Sequence, residues 1–316
     1  MGQILAVQCH SSVRLDGKIA VITGANTGIG KTTAKDFYKR GARVILACRD
    51  VTRANEAIKD IKDQCEGEEN LGELVCVKLD LSSLSSVRNC SEELLKREKC
   101  INILVNNAGI VGVPYKKTTD GFEMTFQTNY LGHFLFTLLL IPLLIKGRPA
   151  RIVNVTSMLH AFMWSSFDLS DLNFENRKYG DMRAYMESKL CNILFTKELA
   201  RKLSENDIDG ITVYAPHPGA VRTEGGRYLD ESYFRGMYWL WLHVLGLFYK
   251  SPELGAQTTI YCSVDEQCAN ETGLYYSECK PTEPSAYAKD EKLAKDLWNL
   301  SLKYVNLENY NPFQKL

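Results

Sequence analysis

The sequence predicts an α/β fold: a doubly wound parallel sheet with helices on both faces. Short apolar runs of strand type alternate with helical stretches along the chain. A strand, a glycine-rich turn and a helix follow one another near the start. Over 316 residues, 45% hydrophobic and 24% charged side chains suffice for a large core. Alternation of this kind implies right-handed crossovers between parallel strands.

The first 15 residues read as an N-terminal extension and residues 16–316 as one domain. No linker, low-complexity stretch or internal repeat divides the chain. The first strand is Lys18–Thr23, followed by the turn Gly24–Gly30 and a helix over Lys31–Arg40. Further strands are expected at Arg43–Ala47, Leu74–Leu79, Ile101–Asn106, Arg151–Thr156, Ile211–Ala215 and Gly273–Tyr276. Net charge is zero, from 38 basic and 38 acidic residues, and there is no basic run, so nothing suggests nucleic acid. Ten cysteines include no Cys-x-x-Cys and no cysteine–histidine cluster. We expect free thiols, no metal, and a reducing compartment.

The turn Gly24-Ala25-Asn26-Thr27-Gly28-Ile29-Gly30 suits a dinucleotide phosphate. Its glycines let the backbone approach the pyrophosphate, and the positive helix end faces the charge. Gly30-Lys31-Thr32 also ends like a triphosphate loop, but Ala25 holds the position of that motif's first glycine. A turn without a ligand is the plainer alternative.

Tyr185 and Lys189 are four residues apart, so on a helix they share a face. An ammonium beside a phenol favours phenolate and is expected to lower the tyrosine pKa. Such a tyrosine can exchange a proton with a substrate oxygen near neutral pH. The spacing alone is common on helices and carries little weight without its companions.

Those companions resemble the motifs of the short-chain dehydrogenase/reductase family. They are Thr23–Gly30, Asn106-Asn107-Ala108-Gly109, Asn129, Ser157, Tyr185, Lys189 and Pro218-Gly219, in the family's order. Finer detail resembles its retinol dehydrogenase subfamily of microsomal, NADP-linked retinal reductases. That detail includes Ala47-Cys48-Arg49-Asp50, Asn129–Phe134, Ser188–Asn192, His217-Pro218-Gly219, Gly255–Thr258 and Cys279–Thr282. The resemblance implies a Rossmann-like sheet and a catalytic set of Asn129, Ser157, Tyr185 and Lys189. Ser157 would bond the substrate carbonyl, Asn129 would hold a relay water, and Lys189 would also bond the nicotinamide ribose. The cofactor-binding set it implies is Gly24, Asn26, Thr27, Gly28, Ile29, Gly30, Arg49, Asp80, Leu81, Asn107, Ala108, Gly109, Tyr185, Lys189, Pro218, Gly219 and Thr223.

Charge decides the expected cofactor. NAD enzymes usually place a carboxylate at the end of the second strand, against the ribose hydroxyl. Here Cys48 stands at that position and Arg49 follows. A guanidinium fork suits a phosphate, and Asn26 and Thr27 can donate to it, so NADP(H) is expected. A surface arginine paired with Asp50 is the alternative for Arg49, and a solvated loop acid for Asp80.

Ser157, Met158, Leu159 and Trp164 are expected to meet substrate, at the start of a stretch that also holds Phe162, Met163 and Phe167. The apolar segment Met237–Tyr249, within a substrate-facing region of about residues 228–250, has thirteen residues, against about 20 needed to span a bilayer. We expect it to cover the cleft and touch a membrane surface, or to pack on the body or a dimer partner. Either reading favours a lipophilic alcohol or carbonyl, retinoid-like by resemblance, with a steroid or lipid aldehyde as rival. A non-catalytic cofactor-binding scaffold is the alternative of another class. The start of the chain carries no secretory pattern, and Ala6 stands where a myristoylation signal wants serine or threonine, so an intracellular, cytosolic-side location is expected.

Overall fold

The computed structural model describes residues 7–163, 167–221 and 249–313, with residues 229–232, 235, 237 and 239. Eight strands form one sheet in the order β3-β2-β1-β4-β5-β6-β7-β8. They are β1 (Ile19–Thr23), β2 (Arg43–Cys48), β3 (Glu73–Lys78), β4 (Ile103–Asn106), β5 (Ala150–Asn154), β6 (Ile211–His217), β7 (Leu274–Ser277) and β8 (Lys280–Pro281). Every pairing is parallel except β7 with β8. That antiparallel edge of two residues has no apolar run to announce it, and the sequence reading lacks it.

Strands buried on both faces read as continuous apolar runs, and these do. Along β1, alternate residues enter opposite cores. Val21 joins Ile45, Leu104, Phe134 and Leu190 on one face, while Ala20 and Ile22 join Val44, Phe37 and Ala256 on the other. The register sets Val21 between Ile45 of β2 and Leu104 of β4. A slip of one residue would exchange the two cores, so burial on both sides fixes the pairing.

Helices α1 (Gly28–Lys39) and α2 (Val51–Gln64) cover the second core; α3 (Leu84–Arg97) and α4 (Met124–Lys146) cover the first. Further on come α5 (Asp181–Glu205), α6 (Pro252–Val264) and α7 (Glu291–Tyr304). α4 is long and apolar enough to cross a membrane, yet Phe134, Leu138 and Ile141 are fully buried against the sheet. Its apolar character is that of a core helix. All ten cysteines are free thiols.

Chain order places β1 beside β4, and connections leave this pair in opposite directions. A crevice therefore opens at the carboxyl ends of β1 and β4, the position where open α/β sheets bind ligands.

Candidate active site

The loop after β1 and the turn after β4 meet at this crevice. Gly24 has φ +65°, and a Cβ there would stand 3.0 Å from the Ala108 Cα. A Cβ on Gly30 would stand 2.5 Å from Asn107 Nδ2 and 2.6 Å from the Gly24 carbonyl oxygen. Only glycine permits this approach. Thr23 Oγ1 accepts the backbone N–H groups of Asn107 and Ala108, each at 2.9 Å, and Asn107 Nδ2 donates to the Thr23 carbonyl at 2.9 Å.

Gly28 and Gly30 already belong to α1, so the helix begins three residues before the expected Lys31. No side chain caps its start, and its first turn holds no acid. By contrast, Asp50 caps α2, Ser83 caps α3 and Asp290 caps α7. The free N–H groups at the start of α1, beside a cradle a single Cβ would fill, fit a dinucleotide phosphate.

The glycine loop opens on a cavity of about 630 Å3. Its lining includes Gly24, Asn26, Thr27, Gly28, Ile29 and Gly30 from that loop, Arg49 after β2, and Asp80 and Leu81 after β3. Asn107, Ala108 and Gly109 face it after β4, and Pro218 and Gly219 after β6. Ser157, Met158, Leu159, Tyr185 and Lys189 line the remaining wall. Trp164 and Thr223 lie outside the described residues, as does most of Met237–Tyr249.

Where an acid would mark an NAD site, Cys48 is buried beneath the backbone of Ala25 and Asn26. Burial dominates and pushes the thiol up to about 11. Arg49 is exposed at the cavity edge. The Asp50 carboxylate accepts the Arg53 backbone N–H at 3.0 Å, and no Arg49–Asp50 pair occurs. Arg53, one turn into α2, also lines the cavity. Its spacing of four from Arg49 was the available signal. Asp80 both faces the cavity and accepts Ser82 N–H at 3.0 Å and Ser82 O–H at 2.6 Å.

At the other end, Tyr185 and Lys189 stand one turn apart on α5. Ser157 lies on the same cavity wall as the Tyr185 phenol, and its hydroxyl favours the phenolate. Lys189 Nζ lies 5.7 Å from the Tyr185 ring centroid and donates to the Val155 carbonyl at 3.0 Å. Spacing alone led us to expect a lowered phenol. Burial overrides it: desolvation of the phenolate pushes Tyr185 up, and the Ser157 hydroxyl opposes this only in part. Burial also brings the Lys189 ammonium down, to about 8.

Asn129 does not line the cavity; it is fully buried behind the wall. Its side chain accepts the Ile110 N–H at 2.8 Å and donates to the Ile110 carbonyl and Ser188 Oγ, each at 3.0 Å. It sits in the π-turn Gln127–Leu131 of α4, a local widening often found at functional sites. Val111, Met124, Met182 and Tyr249 join Met158 and Leu159 to make this end apolar. Beyond it, Arg177 donates to both Glu187 oxygens at 2.7 Å, tying the stretch before α5 to that helix.

Comparison with known proteins agrees with this geometry. The sequence profile of the family described as short chain dehydrogenase matches residues 18–167. The chain is 42% identical over 304 residues to mouse (Mus musculus) retinol dehydrogenase 13, covering 95% of this chain and 87% of that protein. It is 43% identical over 303 residues to human (Homo sapiens) retinol dehydrogenase 11, covering 95% and 89%. Among solved structures, an uncharacterised protein of Mycobacterium paratuberculosis superposes with TM-score 0.72 at 32% identity, over 93% of this chain and 95% of the other. The NADP complex of RhlG from Pseudomonas aeruginosa shares the fold, with TM-score 0.63 at 23% identity over 89% and 100%. The sheet order, the glycine cradle and these likenesses converge: the chain belongs to the short-chain dehydrogenase/reductase family, in its retinol dehydrogenase subfamily.

Proposed function

We propose that this chain is an NADP(H)-dependent reductase/dehydrogenase of a lipophilic alcohol–carbonyl pair, with retinol and retinal as the leading candidates. Membership of the family makes it an oxidoreductase acting on CH–OH donors with a nicotinamide cofactor. One observation carries the chemistry: Ser157, Tyr185 and Lys189 share one wall at the far end of a cavity that begins at the glycine loop.

The bound cofactor supplies the hydride in the reductive direction and accepts it in the oxidative one. Tyr185, held protonated by burial, gives its proton to the carbonyl oxygen. Ser157 directs its hydroxyl to the same oxygen and stabilises the developing charge. The Lys189 ammonium offsets the negative charge left on the phenol. Asn129 acts from behind, fixing Ile110 and Ser188 beside these groups.

Arg49 and Arg53 support NADP(H): two guanidinium groups border the cavity near the glycine loop, and the Asp50 carboxylate beside them turns to cap α2. The apolar wall of Met158, Leu159, Met182 and Tyr249 supports a lipophilic substrate, as do the names of the curated relatives. Exposed Met158, Phe162 and Trp239 support peripheral contact with a lipid surface.

The test is turnover by purified protein with all-trans-retinal, a steroid ketone and a medium-chain aldehyde, each with NADPH and with NADH. We expect retinal reduction with NADPH, at least tenfold faster than with NADH. Tyr185→Phe should lose about 100-fold or more in kcat, within the usual contribution of a proton-transferring side chain. Arg49→Glu should weaken NADPH far more than NADH. Normal turnover in Tyr185→Phe would sink the mechanism, and an unchanged cofactor preference in Arg49→Glu would remove the phosphate from that edge.

A further inference from the structure

One buried group stands outside the chemistry above. His133 lies on α4, four residues after Asn129, and is 2% exposed. Its Nδ1 is 3.0 Å from the Asn129 carbonyl oxygen, and its Nε2 is 2.9 Å from Thr23 Oγ1. A carbonyl only accepts, so Nδ1 carries the hydrogen. Burial brings the ring down to about 4, so it is neutral and Nε2 is bare. The Thr23 hydroxyl therefore donates to Nε2. Both its lone pairs remain for the Asn107 and Ala108 N–H groups that bond it.

The chain of bonds continues past Asn129. That side chain grips Ile110, next to the Asn107–Gly109 turn, and Ser188, which lies between Tyr185 and Lys189. A Cβ on Gly109 would stand 3.4 Å from Asn129 Oδ1 and 3.5 Å from Lys189 Nζ, so cofactor turn, clamp and lysine are in contact. Thr23 and Asn129 are themselves fully buried. A network of this kind, with each donor and acceptor used, holds its members in one arrangement.

We infer that His133 is a positioning residue that locks the glycine-loop strand, the Asn107–Gly109 turn and the Tyr185 helix into one register. Cofactor seating and proton transfer then depend on a single buried imidazole. This inference rests on the function proposed above.

Its two ends can be separated in the full chain. His133→Asn keeps an amide donor near Nδ1 for the Asn129 carbonyl and loses the acceptor for Thr23. His133→Gln reaches Thr23 with its amide oxygen and loses the donor to Asn129. NADPH affinity, read by nucleotide fluorescence, should fall about tenfold in His133→Asn and stay within about twofold of wild type in His133→Gln, as expected for one lost buried hydrogen bond. With NADPH saturating, kcat should show the reverse order, about tenfold lower in His133→Gln. Wild-type Kd and kcat in both variants, with only Tm lowered, would overturn the inference. So would equal loss of both quantities in both.

Thr23→Val puts the same question should an imidazole variant not fold. It must weaken NADPH by about tenfold, and an unchanged Kd overturns the inference. Nucleotide binding is read without turnover, so failure of the Tyr185 mechanism would leave the affinity result standing.

Discussion

Lys189 has a cost that its neighbours do not relieve. The ammonium is buried, and its pKa falls from 10.5 to about 8. A fall of this size is roughly 3 kcal/mol of stability lost to a buried charge. The sign follows from proton binding. Between pH 8 and 10.5 the unfolded chain holds the proton that the folded chain gives up, so stability gains with rising pH. Below pH 8 the full cost remains. Lys189→Met should therefore raise the stability of the cofactor-free protein by roughly 2–3 kcal/mol at pH 7 and abolish turnover. The Val155 carbonyl does not become an orphan, because Asn192 Nδ2 also donates to it at 3.2 Å. Urea unfolding of both proteins from pH 7 to 10 checks this. The gap should close as pH rises, and a gap constant with pH would show that the charge is not its source. Tyr185 and Lys189 were legible as a pair from their spacing. Their pKa directions were not, because spacing reports a neighbour and says nothing of the water removed. His133 was illegible for a related reason. In Leu131–Leu144 it reads, with Thr137, as one of two polar residues in an apolar run, and its partners, Thr23 and Asn129, are assigned only by folding.

Helix ends show the same division. Glycine spacing marked a phosphate turn, but the helix boundary after it fell at Gly28 rather than Lys31, since glycines are poor evidence for a helix start. The π-turn at Gln127–Leu131 has no sequence signal, because widening by one residue preserves the apolar character of α4. The absence of a cap on α1 is informative in another way. Thr27 stands at the N-cap yet bonds no backbone N–H, which leaves the helix short of stability at that end. Thr27→Asp would supply the missing acceptor and complement the dipole, a gain of about 0.5–1 kcal/mol. The same carboxylate would repel a phosphate. We expect a higher Tm without nucleotide and NADPH affinity at least tenfold weaker. Calorimetry and nucleotide titration on one preparation check both. A stabilised helix with undiminished affinity would place the pyrophosphate elsewhere.

The order of the strands brings these parts together. Residues 24–30 and Asn107–Gly109 flank the β1–β4 junction, while Ser157, Tyr185 and Lys189 come from the β5 side, and one cavity touches both. The apolar runs and the alternation were enough to read this sheet from the sequence, since parallel strands buried on both faces leave little choice of register. The two-residue β8 and the pairing of loops distant in the chain were not readable that way. A ligand seated across the junction stabilises whatever both walls contribute to. At a hundred times its Kd, NADPH should stabilise the folded chain by about 2.7 kcal/mol. Hydrogen exchange then locates the gain. Protection should rise in two separate segments, residues 24–30 with 107–110 and residues 185–192, because Thr23, His133, Asn129 and Ser188 join them through buried bonds. In His133→Gln the first segment should still gain protection and the second should gain less. Protection confined to the glycine loop in the wild type would mean that the two walls respond to nucleotide independently, and that the buried network does not transmit its binding to the helix bearing Tyr185.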